Sequence, residues 1–231
     1  MIRLGKILSA HHVLNTRDYK QLVSFRCKNI FNIPNGVDSA YFKPAKKNEN
    51  FDVLFMGRLV EGKGADLLPT IALKLVSKHI QIVVCGTGPL ESLIKKCNMI
   101  KFLGFVDGHL KRELYAKSHV LIAPSRYETF MLTGLEAMAS GTPVVTFDIP
   151  GPREYVVNGY NGFLVRSLDE MVEKVNKLYS LWKSGSQEYW EMCKNARKTA
   201  ERFDWAVIIP KLEHMFHTVV KEHGNNQMQS H

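Results

Sequence analysis

Val120-Leu-Ile-Ala-Pro-Ser-Arg-Tyr-Glu-Thr-Phe-Met-Leu-Thr-Gly-Leu-Glu-Ala-Met-Ala-Ser-Gly-Thr-Pro-Val-Val-Thr-Phe147 is the stretch whose reading decides the fold. An apolar run, Val120–Pro124, leads into a loop that carries Glu128. A short helical stretch containing Glu136 follows, and Pro143–Phe147 is a second apolar run. Neither run alternates with period two, which suits strands of a parallel sheet buried on both faces. The helix N-terminus between the two glutamates has free N–H groups and a dipole that suit an anion such as phosphate. Two acceptors for hydroxyls flanking a phosphate cradle are the chemistry of holding a sugar nucleotide. The spacing of the glutamates alone favours two solvated charges.

The same grammar extends upstream. Phe51–Met56 is strand-like, Ala65–Ser77 has helical apolar spacing, and Ile80–Cys85 is β-branched. Pro89–Cys97 reads as helix, Ile100–Leu103 as strand, Gly108–Lys117 as helix behind an Asp107 cap, and His119–Ala123 as strand. Gly162–Val165 closes the series. Strands alternating with helices predict an α/β fold, a Rossmann-like doubly wound parallel sheet. After Val165 the strands stop. Ser167-Leu-Asp-Glu170 is a capping box opening a helix to about Lys183, and a second helix spans Gln187–Arg202. Asp204 caps a third, Trp205–Lys221. These readings divide the chain into 1–44, 45–203 as the nucleotide-sugar-binding domain, 204–223 as a terminal crossing helix, and a polar, disordered tail at 224–231. The front segment, with Val13-Leu-Asn-Thr16, a helical stretch near Tyr19–Phe25 and Asn29–Ile33, has no room for its own sheet.

The bulk properties narrow the class. Of 231 residues, 45% are hydrophobic and 23% charged, as in an ordinary globular chain with a real core. No stretch reaches the roughly 20 apolar residues of a membrane span, and Met1–Gly5 lacks a signal-peptide core. Cys27, Cys85, Cys97 and Cys193 show no metal-site spacing and read as reduced thiols, hence a cytoplasmic protein. The net charge of +9 is uneven: residues 1–48 carry nine Lys and Arg against Asp18 and Asp38, which is +7. Without an arginine-rich run, that front suits a partner protein or peripheral contact with a membrane better than nucleic acid.

Open α/β sheets bind ligands at the carboxyl ends of their strands. Three loops fall there. Gly57-Arg-Leu-Val-Glu-Gly-Lys-Gly64 carries Arg58 and Lys63, two cations on a glycine-rich loop suited to a diphosphate. It comes close to a P-loop, but Gly64 stands where Ser or Thr should ligate Mg²⁺. With Asp148 after Val144–Phe147, a nucleotide triphosphatase stays open as an alternative. Gly86-Thr-Gly-Pro89 is the second loop, and the Glu128 loop the third.

Together with Ile33-Pro-Asn-Gly-Val-Asp38, Gly86 and Gly88 before Pro89, Glu128 with Phe130, Glu136-Ala-Met-Ala139, and Gly141-x-Pro143-Val-Val145, the chain resembles the retaining group-one (family four) glycosyltransferases of the two-Rossmann GT-B fold. Gly151-Pro-Arg-Glu154 and Asn158–Gly162 fit the same pattern. The resemblance implies a hexosyltransferase whose donor-binding half is this chain. Arg58 and Lys63 would bind the donor diphosphate and stabilise the leaving nucleotide without metal or cofactor. Glu128 would contact the transferred sugar, and Glu136 the ribose. Backbone at Thr129, Phe130, Met131, Leu132 and Thr133 would meet sugar and phosphate, with Gly57, Gly86 and Gly88 lining the site and Phe105 and Val106 against the base.

Two departures stand out. Met131 occupies a position where the family usually has glycine, which predicts a narrowed sugar pocket. The amino-terminal acceptor-binding domain is represented only by residues 1–44, read as its last strand, helix and linker. An apolar face of the Trp205–Val219 helix should therefore be exposed. This leaves a non-catalytic or split-enzyme role open, completed by a partner chain or by self-association. The acceptor would be a sugar, a lipid-linked group or a protein. His214 and His217, one turn apart, and His11-His12 read as surface histidines.

Overall fold

A computed structural model of the chain describes residues 10–78 and 80–228, without the side chains of Ser77 and of residues 222–228. Arg3 and Lys6 of the basic front, and the last residues of the polar tail, lie outside the described residues. The chain divides into two compact units, Val37–Arg202 and a smaller one made from the residues before and after it.

In the smaller unit, β1 (His11–Val13), α1 (Thr16–Ser24) and β2 (Ile30–Asn32) form a strand–helix–strand crossover, with β1 and β2 parallel. Asn15 caps α1 by accepting from the Asp18 N–H at 2.8 Å. The expectation that this segment holds no sheet is corrected: a nine-residue helix is enough to return the chain for a two-stranded one.

The larger unit begins at Val37, ahead of the expected boundary at residue 45. Arg197 explains why. Its Nη1 donates to the carbonyls of Ser39 (2.9 Å), Phe42 (2.7 Å) and Ala139 (2.7 Å), fastening the incoming segment to the domain. Six strands follow: β3 (Asp52–Met56), β4 (Gln81–Cys85), β5 (Ile100–Gly104), β6 (Val120–Ala123), β7 (Val144–Phe147) and β8 (Gly162–Val165). They pair in the order β5-β4-β3-β6-β7-β8, every neighbour parallel. This is the doubly wound arrangement expected from the sequence, with its topological switch between β3 and β6. All four residues of β6 are buried, as a strand covered on both faces requires.

The crossovers are α2 (Leu68–Leu75), α3 (Glu91–Lys95), α4 (Gly108–Lys117), α5 (Leu132–Ala139) and α6 (Pro150–Arg153), followed by α7 (Leu168–Lys183) and α8 (Gln187–Glu201). The helix expected over Ala65–Ser77 is broken into a 3-10 turn at Ala65–Leu67, α2, and a second 3-10 turn at Val76–Lys78. Pro69 sits at the start of α2, where its missing N–H costs nothing; an α-helix begun at Ala65 would lose a bond there. Asp107 precedes α4 but makes no capping bond. Ser167 does cap α7, accepting from the Glu170 N–H at 3.1 Å. The Glu170 carboxylate reaches the Arg166 N–H rather than that of Ser167. α2 and α7 pack on one face of the sheet, where Leu68, Ile71, Leu75, Met171, Val175 and Leu178 are buried with Val53, Ile82 and Val84. α5 packs against α4 and α8.

The last helix, α9 (Trp205–Met228), belongs to the smaller unit. Asp204 caps it, accepting from the Ala206 N–H at 2.8 Å. Its Ile208 and Met215 are buried with Ile33, beside Phe31 and Leu212. Trp205, Ile209, Phe216 and Val220, spaced as one stripe, stay exposed, as expected for this helix. α9 runs through Gly224 to Met228, beyond the expected end at residue 223. A single helical glycine costs only about 1 kcal/mol.

Candidate active site at the topological switch

The loops after β3, β4, β5 and β6 converge at the carboxyl ends of their strands. Backbone bonds stitch them together: the Gly57 N–H donates to the Cys85 carbonyl (3.0 Å), Leu59 to Thr87 (2.8 Å), Gly86 to Gly104 (2.7 Å), and Arg126 to Gly62 (3.0 Å). Two glycines make the approach possible. At Gly64, φ is +72° and a Cβ would fall on the Pro124 carbonyl, where the β3 and β6 loops touch. At Gly86, φ is +137° and a Cβ would fall on the Gly57 carbonyl.

The ends of β3, β4 and β5, with Lys111 of α4 and Thr133 of α5, line a cleft of about 250 Å³. Of the residues expected at the site, Gly57, Arg58, Gly86, Phe105, Val106 and Thr133 line it. Arg58 is exposed and makes no ion pair or side-chain hydrogen bond among the described residues, so its guanidinium is open to a ligand. Phe105, 71% exposed, offers a bare aromatic face at the rim.

The two glutamates are held differently. Glu128 is buried, and its Oε1 accepts from Lys63 Nζ at 2.6 Å and from the Ser125 hydroxyl at 2.9 Å. Lys63, on the β3 loop, is thereby tied to the β6 loop across the switch. Glu136, in the second turn of α5, accepts from Lys111 Nζ at 2.8 Å and from the Tyr115 hydroxyl at 2.9 Å. Burial, and then the Glu136 charge, push the Tyr115 phenol well above its ordinary range, so it stays protonated and donates. Lys111 itself lines the cleft and connects Glu136 to it. Arg126 clamps Asp66 with two bonds of 2.7 Å, holding that carboxyl below its usual range and tying the β6 loop to the end of the β3 loop.

Met131 precedes α5 without a capping side chain, which leaves the first-turn amides of that helix to water or a ligand. The Tyr155 hydroxyl donates to its carbonyl at 2.6 Å. The expectation that Met131 narrows the sugar pocket is corrected: its side chain is 1% exposed, its sulfur lies 4.0 Å from Thr146 Oγ1, and it packs inward. Its φ of −88° also needs no glycine. Phe130 is buried against Tyr155, while Thr129 and Leu132 are exposed beside Glu128 and α5. Gly88 turns the β4 loop close to the Leu59 backbone, outside the cleft lining. Asp148, which a triphosphatase would need for metal, is paired with Arg153 at 2.6 Å.

Lys111, Tyr115 and Ser125 escaped the sequence reading. Lys111 and Tyr115 stand four apart on α4, a spacing that puts both on one face, and Ser125 lies one short loop before Glu128.

The chain is similar to known proteins over most of its length. It is 33% identical over 164 residues to an uncharacterised glycosyltransferase of Methanocaldococcus jannaschii, covering 66% of this chain and 41% of that protein. It is 28% identical over 204 residues to a phosphatidylinositol N-acetylglucosaminyltransferase subunit of Arabidopsis thaliana, covering 83% and 44%. The fold matches sucrose-phosphate synthase from Thermosynechococcus elongatus with a TM-score of 0.83 at 21% identity, over 96% of this chain and 61% of that one. The chain thus spans less than half the length of these two sequence relatives. Residues 38–203, the larger unit with its cleft, match the family described as glycosyl transferases group 1. The chain belongs to the group 1 glycosyltransferases.

Proposed function

We propose that the chain supplies the donor-binding half of a retaining hexosyltransferase that uses a nucleotide-sugar donor. The observation that carries this reading is the open guanidinium of Arg58 in the cleft, on the same β3 loop as Lys63, whose pair with Glu128 joins that loop to the β6 loop outside the cleft lining. Arg58 and Lys63 supply positive charge where the departing diphosphate gains negative charge, with no metal required. Lys63 has three donors and spends one on Glu128, so it can hold the carboxylate and a phosphate oxygen together. Glu128 orients the hydroxyls of the transferred sugar. Glu136, steadied by Lys111 and Tyr115, takes the ribose hydroxyls. The first-turn amides of α5 face the phosphate, and Phe105 with Val106 lies against the base.

The acceptor comes from elsewhere. The exposed stripe Trp205, Ile209, Phe216 and Val220 supports an acceptor domain or partner chain packed on α9. The Arabidopsis relative takes its name from phosphatidylinositol, which supports a lipid acceptor and work at a membrane surface. No helix among the described residues is long and apolar enough to cross a membrane.

Calorimetry with UDP-, GDP- and ADP-sugars tests the reading. One of them is expected to bind folded chain without added metal. Absence of binding by all three, or hydrolysis of ATP or GTP that needs Mg²⁺ and Lys63, would overturn it.

A further inference from the structure

We propose that the groove between Pro44–Lys47 and α8 is a second ligand site, built for a phosphoryl group. It lies at the opposite end of the sheet from the donor cleft: Pro44–Lys47 leads into β3, and Gly141, on its wall, leads into β7. Its volume is about 460 Å³, within the range of small-molecule sites. Four cations line it, Lys47, Lys194, Arg197 and Lys198, against one carboxylate, Glu201.

The cations are not equally occupied. Arg197 is committed, with Nη1 on three carbonyls and Nε on Glu201 at 2.8 Å. Lys194 and Lys198 are exposed, one turn apart on α8, and make no ion pair among the described residues. The Lys47 amine is half-buried and donates to the Thr142 hydroxyl, with no carboxylate partner among the described residues. Burial lowers its pKa to about 8, which still leaves it mostly cationic at neutral pH. An ammonium withdrawn from water without a counter-charge is costly, and an anion bound by Lys47, Lys194 and Lys198 offsets that cost.

The groove also selects what carries the phosphoryl group. Trp190, 41% exposed, stands one turn before Lys194 and gives the groove an apolar plane. The opposite face of α8 is buried through Tyr189, Met192 and Ala196, which fixes the helix that presents these side chains. A phosphate ester with a planar or apolar group therefore fits better than bare phosphate. That chemistry arrives either as a soluble ester or as a lipid headgroup. The inference does not rest on the donor reading.

The test uses the full chain and two probes. Phenyl phosphate is titrated by calorimetry into the Arg58→Ala chain, which removes competition from the donor cleft. Co-sedimentation with phosphatidylcholine vesicles, with and without phosphatidic acid, covers the lipid source. The expected result is binding of at least one probe, reduced roughly tenfold or more by Lys47→Met and by Lys194→Glu/Lys198→Glu. Loss confined to the vesicle arm assigns the lipid source, and loss confined to phenyl phosphate assigns the soluble one. The Lys194→Glu/Lys198→Glu change is exposed and should leave the far-ultraviolet circular dichroism and nucleotide-sugar binding as they were. Binding of neither probe, or binding indifferent to that double change, overturns the proposal.

Discussion

Lys63 Nζ stands 2.6 Å from Glu128 Oε1, joining the loops of β3 and β6, strands adjacent in the sheet but far apart in the chain. The carboxylate is nearly buried and the lysine only partly so. Removing the lysine therefore strands a buried charge. Lys63→Met should cost about 1–3 kcal/mol of stability, while Glu128→Gln, which keeps an acceptor for Lys63 and Ser125, should cost less. In the double variant the two costs should not add, because the charge that Lys63 neutralised is gone. Urea denaturation of the four proteins measures this, and strict additivity would show that the pair is incidental.

Arg58 separates binding from folding. It is exposed and unpaired among the described residues, so Arg58→Ala should leave stability within about 0.5 kcal/mol. Affinity for a nucleoside diphosphate should fall about tenfold or more, and affinity for the matching monophosphate much less. Equal losses for both nucleotides would place Arg58 away from the second phosphate.

Tyr115→Phe deletes one hydroxyl from a buried ring and leaves Glu136 with Lys111 alone. The expected cost is about 1 kcal/mol of stability, with donor affinity lowered about three- to tenfold. A 2′-deoxyribose or 3′-deoxyribose donor should lose correspondingly less in the variant than in the parent. If the variant and the parent respond alike to deoxy donors, Glu136 does not serve the ribose.

His119 gives the larger unit an acid limit. Its ring is buried on Phe51 at 4.8 Å, and its Nδ1 accepts from the Asp52 N–H at 3.0 Å, so the neutral form is required. Burial, with a smaller push from the Lys47 charge, lowers its pKa to about 3. The unfolded chain takes up this proton near pH 6.5 and the folded chain does not, so stability falls as pH drops from about 6.5 toward 3. The slope is up to about 1.4 kcal/mol per pH unit. His119→Asn should be less stable at pH 7 but flatter between pH 7 and 4.5. Parallel curves for the two proteins would remove His119 as the cause.

Gly64→Ala tests the meeting of the two loops. A methyl at φ +72° meets the Pro124 carbonyl, and the left-handed backbone alone costs about 1–2 kcal/mol. Donor affinity should drop with stability, because Lys63 precedes the displaced residue. A crystal structure of the variant with an unmoved Pro124 would contradict this account.

What the sequence disclosed follows from how local each feature is. The six strands were readable because runs such as Ile80–Cys85 and Val120–Ala123 are apolar on both faces. The positions of Arg58 and Glu128 in loops after β3 and β6, and of Glu136 early in α5, follow from local sequence because each comes soon after an apolar strand. The Lys111–Glu136 and Tyr115–Glu136 bonds were not, since they depend on α4 packing beside α5. The inward course of Met131 was hidden too: its direction is set by Thr146 and Tyr155, which lie far along the chain. Pro69 is visible in the sequence, but the apolar spacing over Ala65–Ser77 does not separate the 3-10 turn at Ala65–Leu67 from the α-helix that follows it.

The β3–β6 pairing, Val53 with Val120 and Leu54 with Leu121, is the most distant in sequence of the sheet's register pairs. During synthesis β3, β4 and β5 can assemble while β6 is still unmade, leaving one edge of β3 waiting. A nascent chain at that stage has half a sheet and lacks the α5 wall that Thr133 gives the cleft. Ligand recognition becomes a report on the longest-range closure of the domain.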